Sequence, residues 1–155
     1  MKLRAKIDKV LEVALSLLMG FMVLNVLWQV GSRYLLNSPS TFTDEVSRYA
    51  LIWVGLLGAA YACGKGMHVS IELLEQKLSD KKRRIQRYMI DALVLLFAVL
   101  ALVIGGMRLM LITFELGQTS SAIQIPLGYI YAVVPLSGFL ICYYSISNML
   151  NYTKK

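Results

Sequence analysis

The side chains able to carry chemistry are few, and their spacing excludes most reactions. His68 is the single histidine among 155 residues. A haem held between two histidines therefore cannot be built within one chain. A hydrolytic metal needs clustered His and carboxylate ligands, and none are spaced for it. Cys63 and Cys142 form no C-x-x-C pair, which removes dithiol redox chemistry, and both read as small buried hydrophobes. Neither a Gly-x-Ser-x-Gly elbow nor a phosphate-cradling glycine loop occurs. The expectation is no enzyme, with no catalytic residue, cofactor, substrate ligand or metal site. What remains is charge placed at the ends of apolar runs.

Those runs set the elements. Hydrophobic residues make up 57% of the chain and charged ones only 16%, where a soluble domain carries about 25% charged residues. The net charge of +7 lies in short blocks between long uncharged runs, the arrangement of an integral membrane protein and a poor one for nucleic acid. The first uncharged run, 13–32, has 20 residues, enough to cross a hydrocarbon core of about 30 Å. Runs 49–64 and 92–107 have 16 each and need charged ends that snorkel, Arg48 and Lys65 for the second. Pro126 fits the start of the last helix and Pro135 should kink it. The predicted fold is an all-α integral membrane protein, a single four-helix domain over 1–155, with spans near 11–36, 44–64, 88–114 and 127–150. The basic N-terminus precedes an apolar run too long for a secretory signal and without a cleavage pattern, so it reads as a retained first span. Thirteen Lys and Arg fall in the N-terminal segment, the middle loop and the C-terminal tail, against Arg33, Arg48 and Arg108 on the other side. That imbalance places both termini in the cytoplasm.

Polar residues within the spans come next. Asn25, Gln29, Ser32 and Arg33 share one face of the first span. That face fits an interhelical hydrogen bond within the chain, a seam against a partner subunit, or a solute or ion path. Thr41 and Asp44 have capping-box spacing, with Thr43 an alternative N-cap. Asp44 and Arg48 form a favourable i,i+4 pair, and Arg33 ends the preceding helix on the same side. Arg33, Asp44, Glu45 and Arg48 thus read either as a periplasmic charge cluster or as a solvated cap. Met67, Ile71, Leu74 and Leu78 make a narrow apolar stripe, predicting a short amphipathic interfacial helix over 67–78 in the cytoplasmic loop, with His68 a polar interface residue. Ser79 can cap the third helix, whose first turns carry Lys81, Lys82, Arg83, Arg84 and Arg87 toward phospholipid headgroups. Asp91 can pair with Arg87, and no acid lies near the middle of a span, where a cation-coupled carrier would need one.

Taken in order, these residues match a known family. Arg33-Tyr34, Phe42-Thr-Asp-Glu-x-x-Arg48-Tyr49, Trp53, Gly55, Gly58-Ala-Ala60 and Gly66-Met-His68 resemble the first half of the small membrane subunit of TRAP transporters. Ser120-Ser-Ala, Ile125-Pro126, Tyr129, Pro135 and Gly138 resemble its second half. The sequence departs mildly, with Phe42 where the family commonly has Trp and Asp44 where it commonly has Glu. The resemblance implies a scaffold subunit in the bacterial inner membrane, one part of a tripartite, ATP-independent uptake system. A soluble periplasmic protein would deliver an organic acid, such as sialic acid or a C4-dicarboxylate. A large membrane subunit would carry it inward, coupled to sodium. On that reading Ser38, Ser40, Thr41, Gln118, Ser120 and Ser121 are expected in loops that dock the binding protein. Asn25, Gln29, Trp53, Gly55, Gly58 and Ala59 are expected to pack against the large subunit or within this chain. The competing reading is an autonomous four-helix exporter acting as a homodimer, with Glu12 or Asp91 as its acid. A membrane anchor for a redox enzyme is weakened by the histidine count.

Overall fold

A computed structural model of the chain describes residues 2–35, 41–66 and 80–153, and side chains within 4–35, 41–66 and 82–150. The expected interfacial helix 67–78, with Met67, His68, Ile71, Leu74 and Leu78, lies outside the described residues, as do Ser38, Ser40 and the Lys81 side chain. The helices are α1 (Lys2–Leu35), α2 (Thr41–Lys65), α3 (Asp80–Phe97), a π-helical segment (Ala98–Gly105), α4 (Gly106–Glu115), α5 (Leu127–Tyr131) and α6 (Val133–Thr153). Four spans are long and apolar enough to cross a membrane: Arg4–Leu35, Thr41–Lys65, Lys82–Glu115 and Leu127–Leu150. The chain is an all-α, multi-pass membrane protein. Among the described residues the single extended feature is an isolated bridge between Thr119 and Pro126.

Helix boundaries differ from the expected ones in informative ways. With 34 residues, α1 is about 50 Å long, well beyond a core of about 30 Å. Its basic first turns are a helical extension rather than a loose tail. The second span starts at Thr41, so Thr41 and Thr43 lie in the first turn of α2 instead of capping it. That turn adds the length which the short uncharged run lacks.

The third span was expected to be plain α-helix over 88–114. Instead eight residues, Ala98–Gly105, wind as a π-helix, where α6 crosses at close range. A Cβ on Gly138 would lie 2.8 Å from Leu102 Cβ, and one on Gly106 2.7 Å from Val134 Cγ1. Paired glycines let two membrane helices approach in this way. The fourth span breaks at Ala132, between α5 and α6. Pro135 lacks the N–H that would bond Tyr131. The ladder restarts with Leu136 N–H donating to the Ala132 carbonyl at 3.3 Å.

α6 is the centre of the bundle. Val133, Ser137, Tyr144 and Ser145 are fully buried, and α6 packs against α2, α3 and the π segment. The core joins Leu57, Ala60 and Cys63 of α2, Ala98, and Val133, Ile141 and Tyr144 of α6, with Leu11 from α1. α1 is peripheral and leans chiefly on α2. Only 6% of its apolar window is buried, against 44% for the last span. Apolar contact alone therefore holds α1 weakly, and polar ties at its two ends take on that work. The basic end gathers the starts of α1 and α3 with the ends of α2 and α6. The loop end gathers the end of α1, the start of α2, the end of α4, and α5.

Candidate functional site

At the loop end, the polar face of α1 turns onto α2 of the same chain. Asn25 Nδ2 donates to the Thr43 carbonyl and to Ser47 Oγ, both at 2.7 Å. One turn further, Gln29 Nε2 donates to Asp44 Oδ1 at 3.1 Å. Ser32 bonds back to the Gln29 carbonyl. The structure places Asn25 and Gln29 in intrachain hydrogen bonds. Asp44 Oδ2 also accepts from Arg48 Nη2. The Arg48 side chain is 74% exposed, so this pair contributes at most about 1 kcal/mol. Arg33 is exposed and makes no ion pair among the described residues. Among the described residues, Arg33, Asp44, Glu45 and Arg48 therefore do not form one cluster.

Glu45 points elsewhere, into the loop between α4 and α5. Its carboxylate accepts Tyr49 Oη–H at 2.7 Å and the backbone N–H groups of Ser121, Ala122 and Ile123 at 3.0, 2.7 and 3.3 Å. Three successive N–H groups converging on one anion form a backbone nest. The loop is cross-tied beneath it. Ser120 N–H donates to the Ile125 carbonyl, Leu127 N–H to the Gln118 carbonyl, and Gln124 N–H to the Ser120 carbonyl. Before the loop, α4 ends in a Schellman cap. Gly117 (φ +59°) donates to Phe114, and Gln118 donates to Thr113. Ser120, expected as a docking residue, is 2% exposed, and its hydroxyl accepts Ile123 N–H. It builds the loop from inside. Thr41, Gln118 and Ser121 are exposed.

The basic end holds a site that the sequence reading missed. Arg4 donates from Nη2 to the Gly64 carbonyl and to Asn148 Oδ1 (2.8 Å), and from Nη1 to Ser147 Oγ (3.2 Å). Its guanidinium also lies over the Tyr144 ring, 5.6 Å from the centroid. Asp8, one turn along α1, accepts the Tyr144 hydroxyl and pairs with Lys65 at 3.7 Å. Asn148 in turn donates to the Cys63 carbonyl. Arg4 and Asp8 thus clasp the ends of α2 and α6 together, satisfying carbonyls that a helix terminus leaves open. Two signals pointed here. Asp8 is the one acid in a basic segment, four residues from Arg4, and Ser137, Ile141, Tyr144, Ser145 and Asn148 recur at helical spacing on the last span.

The family model for tripartite ATP-independent periplasmic transporters, DctQ component, matches residues 22–155. The chain belongs to this family. It is 30% identical over 147 residues to a Haemophilus influenzae protein named as a TRAP transporter small permease, covering 94% of this chain and 88% of that one. It is 28% identical over 137 residues to the sialic acid TRAP transporter small permease protein SiaQ of Vibrio cholerae, covering 84% and 79%. A stretch of 66 residues, 43% of this chain, is 30% identical to part of the sialic acid TRAP transporter permease protein SiaT of Haemophilus influenzae, of which it covers 11%. A TRAP small permease is a transporter component and not an enzyme.

Within this TRAP small permease, Trp53 has a definite contact. Its Nε1–H donates to the Ile130 carbonyl at 3.1 Å, beside the break that Pro135 imposes. Among the described residues, Gly55, Gly58 and Ala59 make no close packing contact within the chain. A Cβ on Gly55 or Gly58 would meet nothing within 4 Å, and Ala59 is exposed. The close approaches fall instead at Gly64 against Tyr144, Gly106 against Val134, Gly128 against Phe114, and Gly138 against Leu102. At the start of α3, Lys82 and Arg84 are exposed while Arg83 and Arg87 are half-buried. Asp91 is 3% exposed.

Proposed function

We propose that this chain is the scaffold partner of a large TRAP permease in the bacterial inner membrane. The pair takes up an organic acid, such as sialic acid or a C4-dicarboxylate, by sodium-coupled secondary transport, and a soluble periplasmic binding protein delivers the acid. The observation that carries this reading is the family match over residues 22–155. The resemblance of a 66-residue segment to part of SiaT, a permease several times longer, supports a close association between small and large subunits. In this orientation the basic end and both termini are cytoplasmic and the loop end is periplasmic, which the thirteen-to-three distribution of Lys and Arg supports. Lys81, Lys82, Arg83, Arg84 and Arg87 then meet anionic phospholipid headgroups. The exposed residues of the loop end, Thr41, Gln118 and Ser121 among them, face the binding protein. The outward faces of α1 and α2, including Gly55, Gly58 and Ala59, are open to the large subunit.

Affinity purification of the tagged chain from its native membrane should recover a much larger membrane protein, and uptake should require both. Recovery of the chain alone, with normal uptake by the large protein in its absence, would overturn the reading. Reporter fusions at both termini should report the cytoplasmic side. The exporter reading keeps one observation in its favour, the burial of Asp91. Transport by the purified chain alone, abolished by Asp91→Asn, would favour it.

A further inference from the structure

We propose that Glu45 is a latch that sets the shape of the docking surface at the loop end, acting through the loop between α4 and α5. The inference rests on the reading of that loop as a contact for the binding protein. Four donors converge on one carboxylate: the Tyr49 hydroxyl and three consecutive backbone N–H groups, 76 to 78 residues away. A carboxylate accepting several charge-assisted hydrogen bonds from backbone N–H is a strong organiser of a loop, because no neutral side chain offers all of them an acceptor. The loop itself does not favour this shape. Gln124 has φ +58°, a left-handed conformation that non-glycine residues rarely adopt, and such strain persists only where the surroundings impose it.

The geometry also explains what the surface offers. Asp44 is occupied by Gln29 and Arg48, and Glu45 by the nest and Tyr49. Both carboxylates at the loop-end start of α2 are therefore already hydrogen-bonded. What faces outward from α2 and the loop includes Thr41, Phe42 and the Arg48 guanidinium, together with Gln118, Thr119, Ser121, Gln124 and Ile125. This is a mixed surface of hydroxyls, amides, a guanidinium and apolar side chains, suited to a folded protein partner. It becomes one surface only while Glu45 holds the loop against α2. Glu45 is thus a positioning residue for docking.

The test uses the assembled transporter in liposomes. Glu45→Gln preserves size but replaces one acceptor oxygen with a donor aimed at N–H groups. Amide exchange at Ser121–Ile123 should accelerate about tenfold or more. The concentration of loaded binding protein that half-saturates uptake should rise by a similar factor, about tenfold, while the maximal rate and recovery of the large subunit hold. Tyr49→Phe, which keeps the carboxylate and removes one donor, should shift both readouts the same way by a smaller factor. Unchanged loop exchange in Glu45→Gln overturns the latch. Faster exchange with unchanged half-saturation overturns the docking role and leaves the partnership with the large subunit intact. Failure of the wild-type pair to transport would instead overturn the broader functional reading.

Discussion

At the loop end, α1 is tied to α2 by neutral amides that reach partners 15 to 22 residues away. At the basic end it is tied by a guanidinium and a carboxylate to α6 residues 136 to 144 positions away. The first kind of tie closes a short hairpin, and its bonds fall into two small separate sets, Asn25 with Thr43 and Ser47 and Asp44 with Gln29 and Arg48. The second closes the whole chain on itself, and its members share partners. Arg4 meets Gly64, Ser147 and Asn148, and Asn148 returns to Cys63. Shared networks lose more than one bond when one member is removed. A peripheral helix with few buried apolar residues is thus secured unevenly, firmly where the chain begins and lightly where it turns.

The largest expected effect follows from that asymmetry. Arg4→Ala leaves Asn148 Oδ1 and the Gly64 carbonyl without their donor near the core and should cost about 2–4 kcal/mol. Thermal unfolding of the chain in detergent measures it. Arg4→Lys should recover less than half of the loss, because a compact ammonium cannot span three acceptors as the planar fork does. Gln29→Leu, the corresponding break at the loop end, should cost about 1 kcal/mol. Equal losses at the two ends would end the distinction between them.

Between the ends, the close crossings supply a second contrast. Gly106→Ala drives a methyl to 2.7 Å from Val134 and 3.0 Å from the Pro135 nitrogen, and should cost about 1–3 kcal/mol by overpacking. Gly55→Ala meets open space and should leave the isolated chain within about 0.5 kcal/mol of wild type, as surface substitutions do. Next in size comes Trp53→Phe. It keeps the ring packing but removes the bond to the Ile130 carbonyl at the α5–α6 break, a loss of about 1 kcal/mol. Here again detergent unfolding is the measurement, and a loss as large as that of Arg4→Ala would make the break, rather than the basic end, the weak point of the bundle.

How far the sequence reaches can be seen in these same residues. The four spans were legible because lipid requires long uncharged runs whatever the packing. The polar face of Asn25 and Gln29 was legible because helical periodicity fixes it. The break at Ala132 followed from Pro135. The π segment was not legible, since it arises where α6 presses on the third span, and its residues Ala98–Gly105 are uniformly apolar. The destination of Glu45 was hidden as well. A carboxylate beside Asp44 and Arg48 reads as a member of a local ion cluster, and only the fold brings the N–H groups of 121–123 to it. Arg4 was counted as topogenic charge, because nothing local pairs it with Asn148. Glycine was a poor guide by itself. Gly55 and Gly58 read as packing residues, yet Gly64, Gly106, Gly128 and Gly138 hold the close contacts.

The smallest expected effect concerns Arg33. As a member of a charge cluster its removal would strand Asp44 or Glu45, a costly outcome. Both acids, however, have other partners, Gln29 and Arg48 for one and Tyr49 with the loop for the other. Arg33 is exposed and without an ion pair among the described residues. Arg33→Ala should therefore shift the unfolding of the isolated chain by less than about 0.5 kcal/mol. Arg48→Ala should do little more, because its pair with Asp44 is solvated on both sides. A loss above about 1 kcal/mol for Arg33→Ala would restore the single cluster. If stability holds while recovery of the large subunit falls, Arg33 acts on a surface outside this chain, and the loop end is then weak in itself and completed by its partner.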